Sequence, residues 1–411
     1  MRVVIAMSTY QLHQTARGLY KVAVVDARTK EVVWEQEEWG KNLILNNGME
    51  QVVLRYWSDC FGAAAAGTGI TPTSVSSAGV TASQAATTVS ASVGAYTFSS
   101  GDIGNMIKWD AGGEEARIIS YTNPQSVEVT PAQSVGAGTF VVYQTNQTGL
   151  TTEVKRTATY LTGVPYCQTV VTPVTGVVAM RRTYDFTAET FQRNYTEVGT
   201  CWSGTFGTGN TTFSRILLPL PVTVNAGQQL RFVYELQLTL SPVTPVAFSA
   251  AVSGWPVAPS VNTDASQQLE LLQMSYVSTT GISTTTNGYA NEPSGSGSNG
   301  GYIYASPSAT AFATFNGAAP DRRITGSDAV GASFSAYTPL SFTQDKTGTF
   351  AVGQLNRSDI RSVGMSPNNG ANNWFPGTYN GITVLFNQDQ TKTNTQTLTF
   401  TFRFSWSRTL A

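Results

Sequence analysis

Between Leu230 and Leu240 two sets of positions alternate without a break. Leu230, Phe232, Tyr234, Leu236, Leu238 and Leu240 fall on one side, and Arg231, Val233, Glu235, Gln237 and Thr239 on the other. Successive side chains of a strand point to opposite faces, so this period predicts a long strand with one face on a core. The same pattern ends the chain, with Leu398, Phe400, Phe402, Phe404 and Trp406 opposed to Thr399, Thr401, Arg403, Ser405 and Ser407. Each stretch carries an arginine on its outer side. Their matched length and alternation predict two neighbours in one antiparallel sandwich, with their aromatics in a shared core.

Elsewhere the pattern comes in shorter pieces. Strand material at Arg2–Met7 is followed by a hairpin, Leu19–Asp26 and Glu31–Trp39, around a turn at Ala27–Lys30. Asn46 or Asn47 is placed to cap a helix over Met49–Trp57, with Val52, Val53 and Tyr56 at helical spacing. Residues 61–90 are small and polar, which suggests a linker. Their alternating Val and Thr, however, run on into Tyr96–Phe98, Met106–Trp109, Ala116–Tyr121, Ser126–Thr130 and Thr139–Tyr143, with turn residues between. That spacing predicts a small β domain set into the chain. Phe213–Val224 reads as two short apolar runs broken at Pro219 and Pro221, with a turn at Asn225–Gly227. Residues 277–300 and 366–380 read as exposed polar loops. No period of about 20–50 residues repeats, which excludes a solenoid or propeller.

The expected fold is therefore mostly β: an antiparallel, jelly-roll-like β-sandwich with an inserted small β domain and one short helix. Residues 1–67 and 148–411 would form the sandwich and residues 68–147 the insertion.

Composition narrows the class. Charged residues make up 12% of the 411 positions, about half the usual ~25% of globular chains. Aromatics at 11% separate the chain from disordered sequences. The net charge is −1 with no basic stripe, so no nucleic-acid partner is expected. Near-neutrality leaves little repulsion between copies, which suits packing against other copies of itself. The three cysteines, Cys60, Cys167 and Cys201, fit neither a disulfide framework nor a zinc site. They read as buried small hydrophobes, with a Cys167–Cys201 bridge left open. No run approaches the ~20 apolar residues of a membrane helix, and the N-terminus lacks a leader pattern. Synthesis in a cytoplasm without membrane insertion is expected.

Candidate chemistry is sparse. The sole histidine, His13, lies in a polar segment, so His-clustered metal sites are excluded and a Ser-His-Asp triad has one histidine to draw on. Paired carboxylates would serve glycan hydrolysis, and the candidates are Asp110, Glu114, Glu115, Asp185, Glu189 and Glu197. Glu197 reads best as a structural acid partnered by Arg215 or Arg231, because a buried carboxylate needs a partner. Gly204–Gly209 lacks the helix and Lys-Ser/Thr of a phosphate loop and reads as a hairpin tip. No catalytic residue, metal or cofactor is expected. Tyr289, Tyr302, Tyr304, Asn373, Trp374, Phe375 and Tyr379 lie in Asn/Gly/Ser-rich stretches. Aromatics of this kind serve sugar-binding or protein-binding surfaces, or anchor loops. Tyr289, Asn373, Trp374, Phe375 and Tyr379 are the candidate contacts with a host or partner.

One resemblance bears on function. Asn42-Leu-Ile-Leu-Asn-Asn-Gly-Met-Glu50 resembles an early motif of structural proteins from tailed bacteriophages, where a hairpin enters a turn before a short helix. Similar to the same group are Lys155–Thr157, Arg182–Phe186, Thr196–Gly199, Phe213–Arg215 and Val222–Leu236, and the stretch Asp102–Trp109 resembles small β modules of phage tail and virion proteins. The resemblance covers residues 19–240. It implies a virion component acting by assembly and host attachment, not an enzyme: a tail fibre, tail tip or baseplate protein. Its implied partners are copies of itself, neighbouring virion proteins and a host cell-surface glycan, with the tail favoured over the head. A head decoration or neck protein and a glycan-degrading tail enzyme are the alternatives.

Overall fold

The computed structural model describes residues 3–54, 60–162, 166–172, 177–207, 211–240, 244–248, 277–278, 281–282, 302–306, 328–366 and 382–410. The chain opens with β1 (Val3–Asp26), β2 (Val32–Glu35), β3 (Gly40–Ile44), helix α1 (Asn46–Leu54) and β4 (Ala63–Gly67). There follow β5 (Ser74–Ala91), β6 (Met106–Trp109), β7 (Glu115–Asn123) and β8 (Ser126–Tyr143). The chain then runs through β9 (Glu153–Thr157), β10 (Tyr160–Leu161), β11 (Cys167–Thr172), β12 (Val177–Asp185), β13 (Arg193–Cys201), β14 (Thr212–Val224), β15 (Gln228–Leu240) and β16 (Thr244–Phe248). A two-residue pair, β17 (Val277–Ser278) and β18 (Gly281–Ile282), precedes β19 (Tyr302–Ser306), β20 (Asp328–Phe334), β21 (Thr343–Phe350), β22 (Arg357–Ser366), β23 (Ile382–Lys392) and β24 (Gln396–Arg408).

β1 organises the sheet. The strands expected at Arg2–Met7 and Leu19–Asp26 are one element of 24 residues. One edge carries β15 and β16, and the other carries β24, β3 and β2 in turn. The polar stretch between them stays extended because both edges are taken and its side chains find partners. His13 bonds the hydroxyls of Ser405 and Ser407 on β24, at 2.9 Å each.

A near-closed nine-strand barrel results, largely antiparallel. Its order is β10/β11, β12, β15, β1, β3, β14, β13, β4, β9. The mostly-β, largely antiparallel character expected from sequence is present, and the strands close round into a barrel. The two long alternating strands are not paired with each other: β1 lies between β15 and β24, and β24 runs parallel to it. They do share a core. Leu230, Phe232, Tyr234, Leu236 and Leu238 belong to one buried cluster with Leu398, Phe400 and Trp406. β24 continues through β21, β20, β19, β22 and β23, each pair antiparallel.

Three local differences have physical causes. β14 runs unbroken through both prolines, because Tyr195 faces Val222 while Glu197 faces Leu217, and the intervening Leu218–Pro221 bulge out of the ladder. Proline is tolerated in a sheet at such a bulge, where its missing N–H costs no ladder bond. The helix starts at Asn46, with Met49 and Val52 buried. Gly48 lets it close on β14, since a Cβ there would lie 2.1 Å from the Phe213 carbonyl oxygen. Finally, the stretches Ser126–Thr130 and Thr139–Tyr143 are one strand, β8. β8 pairs with β5 along one edge and with β6 and β7 along the other. This four-stranded sheet has its own core of Val80, Val89, Ile107, Trp109, Ile118, Val127, Val129, Phe140 and Val142.

Candidate functional site

The densest polar constellation among the described residues lies where the chain leaves the barrel for the four-stranded sheet and where it returns. Glu197 on β13 and Arg215 on β14 are diagonal neighbours on one face of the ladder, since Glu197 faces Leu217 and Gly199 faces Arg215. Long side chains span such a diagonal. Both are fully buried, and the Arg215 Nη2–Glu197 Oε2 distance is 2.8 Å. Arg215 Nε donates to the same oxygen at 2.8 Å.

The pair is fully hydrogen-bonded by the two crossing segments. On the outgoing side, the Gly69 N–H donates to Glu197 Oε1 at 3.1 Å, and Arg215 Nη2 donates to the Thr71 carbonyl at 2.7 Å. On the returning side, the N–H groups of Thr151 and Thr152 donate to the carboxylate at 3.1 and 2.8 Å. Arg215 reaches Gln147 Oε1 at 2.8 Å and Thr151 Oγ1 at 3.0 Å. Gly67 and Gly69 make the room: a Cβ on either would fall 2.7 or 2.3 Å from Glu197 Oε1. Three backbone N–H groups and one guanidinium converge on this carboxylate, so it fastens both crossing segments to the barrel wall.

A second junction joins the sheet to the C-terminus. The backbone N–H of Asn46 donates to Thr145 O at 2.8 Å, and its Nδ2 donates to Gly104 O at 2.8 Å. Arg408, buried at the end of β24, donates to Ile44 O at 2.6 Å and to Asn46 Oδ1. Its guanidinium and that of Arg117 each lie 5.5 Å from the ring centroid of Phe342. Burial, and then the nearby Arg117 charge, push Arg408 down from its ordinary value. Arginine keeps its proton in proteins, so this charge is held inside at a desolvation cost. Beside it, Asn46, Asn47, Gly104, Arg117, Ile119 and Leu340 line a cleft of about 280 Å³.

The remaining candidates are dispersed. Of the two arginines considered for Glu197, Arg231 is on Asp185 instead, at 2.7 and 3.0 Å, because the two face each other across β15 and β12. Glu189 is held by Lys155 at 2.5 Å and by Arg193 at 3.5 Å, and it accepts the Tyr195 hydroxyl. Burial alone would raise its pKa, but the bonds from Lys155 and Tyr195 and the two cationic charges hold it below the ordinary value. Glu115 faces Lys108 at 3.5 Å, and Asp110 accepts the Thr139 hydroxyl at 2.6 Å. Glu114 sits beside Gly112 and Gly113, both at positive φ. His13 is lowered by burial and bonded on both ring nitrogens to hydroxyls. Asn42, Thr200 and Ser214 form a buried group inside the barrel wall, Asn42 Nδ2 donating to Ser214 Oγ at 2.8 Å. An amide and hydroxyls of this kind supply no general base. Cys201 is a free buried thiol, pushed up to about 12 by burial, which excludes the bridge to Cys167. Among the described residues no group of His, Cys, Asp and Glu could hold a metal ion. Tyr289, Asn373, Trp374, Phe375 and Tyr379 lie outside the described residues, and Tyr302 and Tyr304 are described only as strand backbone of β19.

Sequence reasoning singled out Glu197 and Arg215 but missed the groups that complete the site. Gly67-Thr68-Gly69 after an alanine run was the signal for a close approach. Gln147, an acceptor for Arg215, lies in a polar stretch with no distinguishing pattern around it. Comparison of the chain with protein-family models, with characterised proteins and with solved structures gives no match.

Proposed function

We propose that the protein is a structural component of a tailed-phage virion, a tail fibre, tail tip or baseplate protein that acts by assembly and host attachment. One observation carries the non-catalytic part of the reading: residues quoted for the resemblance serve packing and clamping. Asn42 bonds inside the barrel wall, Asn46 joins the four-stranded sheet to Arg408, Gly48 seats the helix, and Glu197 and Arg215 hold both crossing segments. In this reading residues 1–67 and 148–411 are the scaffold, and residues 68–147 are a module carried on it. A jelly-roll-like sandwich is the finer fold that goes with the proposal. Residues Tyr289, Asn373, Trp374, Phe375 and Tyr379 are the proposed contacts with a host glycan or partner protein.

Gold-labelled antibody against the chain, applied to purified virions of the phage that encodes it, tests the reading. Label on the tail supports it, label on the head favours a decoration or neck protein, and unlabelled virions overturn it. Incubation with host polysaccharide is the complementary assay. Sustained release of new reducing ends would contradict the non-enzymatic reading, and unchanged adsorption after deletion of residues 366–380 would remove those loops from the contact.

A further inference from the structure

The cleft of about 280 Å³ beside Arg117 lies where three parts of the chain meet. Helix α1 brings Asn47 to it, the four-stranded sheet brings Arg117 and Ile119, and the segment before β21 brings Leu340. The volume is roughly nine times the ~30 Å³ that a water takes in the liquid, which is room for a small branched molecule. None of the lining residues is acidic. Ile103 and Ile119 give its wall an apolar part and are 43 and 47% exposed. Arg117 donates once, to the Leu340 carbonyl, and meets no other hydrogen-bond acceptor among the described residues. Four of the five donors of its planar fork are therefore open to a ligand.

The nearest acid does not use that fork. Glu50 Oε1 accepts the Leu340 N–H at 2.9 Å, so Glu50 and Arg117 hold the same residue from its two ends. Leu340 and Phe342 are held at φ 62° and 49°. Large side chains rarely adopt that region, and such strain recurs at ligand clamps. The charges here are also unbalanced. Among the described residues Arg117, Arg408 and Lys108 act on one another's surroundings with only Glu50 and Glu115 against them. Glu115 is the partner of Lys108, at 3.5 Å. One positive charge is left over. We propose that this cleft binds a small organic monocarboxylate, with its carboxylate on the Arg117 fork and its branched apolar body between Ile103, Ile119 and Leu340. The fork matches a carboxylate through two parallel N–H bonds. A monoanion cancels the excess charge, whereas a phosphate dianion would overshoot it and would leave the isoleucines without an apolar partner. The first turn of α1 has no acid of its own and adds the positive end of its dipole.

This binding is separate from the virion reading and stands or falls without it. Isovalerate, with about seven non-hydrogen atoms, is a suitable probe, and a ligand of that size reaches an affinity of about 1 mM. Saturation-transfer NMR of its methyl groups, titrated against the full chain at constant ionic strength, reads the Kd. Isovaleramide, the uncharged isostere, should bind at least about tenfold more weakly, and inorganic phosphate should fail to displace isovalerate at equal concentration. Arg117→Gln should weaken isovalerate at least about tenfold. That variant also loses the bond to Leu340, so Ile119→Asp supplies a second reading at a half-exposed position with no such bond. Its added carboxylate should repel the ligand and weaken binding by a similar factor, about tenfold. Circular dichroism of both variants should match wild type. Absence of saturable binding overturns the proposal. So does isovaleramide binding as tightly as isovalerate, which would mean that the cleft selects shape and not charge. Displacement by phosphate at equal concentration overturns the monocarboxylate class, and a Kd unchanged by both substitutions would place the bound probe elsewhere and overturn the site.

Discussion

Two faces of the barrel wall carry arginine–carboxylate pairs, and the pairs differ in what lies over them. On the outer face of β12, β15 and β1, Arg231 meets Asp185 at 2.7 Å and Arg181 meets Glu235 at 2.6 Å. Both pairs keep some contact with water, and Arg181 also packs over Trp39. On the wall formed by β4, β13 and β14, Arg215 meets Glu197 at 2.8 Å, and neither side chain has any solvent exposure. The distances barely differ, so distance does not set the strength of these pairs. Water does. A solvated pair exchanges one good environment for another, and its net worth is small. A buried pair has already lost its hydration, so removing one partner strands the other. The covered wall can therefore act as a lock, because the segments that cover it, Gly69–Thr71 and Gln147–Thr152, are the ones bonded to the pair.

The sharpest way to break this contrast is Glu197→Ala. It leaves Arg215 buried without a counter-charge, and it should destabilise the fold by about 3–5 kcal/mol in urea titration. Gly67→Ala should come next. Its Cβ would lie 2.5 Å from the Thr152 carbonyl oxygen and 2.7 Å from Glu197 Oε1. Crowding of this kind costs about 1–3 kcal/mol. Asp185→Asn on the other face should change stability by no more than about 1 kcal/mol. An equal loss from Asp185→Asn and Glu197→Ala would abolish the distinction.

Acid provides a gentler probe. The Glu189 pKa is held below its ordinary 4.5, because the Lys155 and Tyr195 bonds and the Lys155 and Arg193 charges outweigh burial. A carboxylate depressed in the folded state contributes stability that is complete above its unfolded pKa and is lost as pH falls through the folded one. The urea midpoint should therefore fall as pH drops below about 4.5, and Glu189→Gln should flatten that limb. His13 gives the smallest effect. Burial lowers its pKa below 6.5, so the folded state disfavours the proton, and stability should decline slightly as pH falls from about 6.5 through the folded value. As the sole histidine, its single imidazole signal in proton NMR reads that pKa without assignment. A midpoint at or above 6.5 would contradict the buried position between β1 and β24.

Strands with a full hydrophobic alternation were legible from sequence. β15 spans Gln228–Leu240 and β24 spans Gln396–Arg408, close to the pattern of each. Their arrangement was not legible, because alternation reports which face is buried and says nothing about which strand lies alongside. The polar middle of β1 looked like a break because its stabilisation comes from edges and from Ser405 and Ser407, which lie at the far end of the chain. β5 was hidden for another reason. Its alanines, serines and threonines carry little hydrophobic signal, and its order comes from pairing along β8. In the site, Glu197 stood out as an acid in an apolar run. The choice between Arg215 and Arg231 depended on sheet register, which one chain's spacing does not encode.

The buried pair holds the two crossing segments to the barrel, and amide hydrogen exchange at Gly69, Thr151 and Thr152 tests that hold most directly. These three N–H groups donate to Glu197. In Glu197→Gln they should lose protection together while amides in β15 keep theirs, and in Asp185→Asn all should stay protected. Unchanged protection at the three amides in Glu197→Gln, or equal loss in both variants, would contradict the lock.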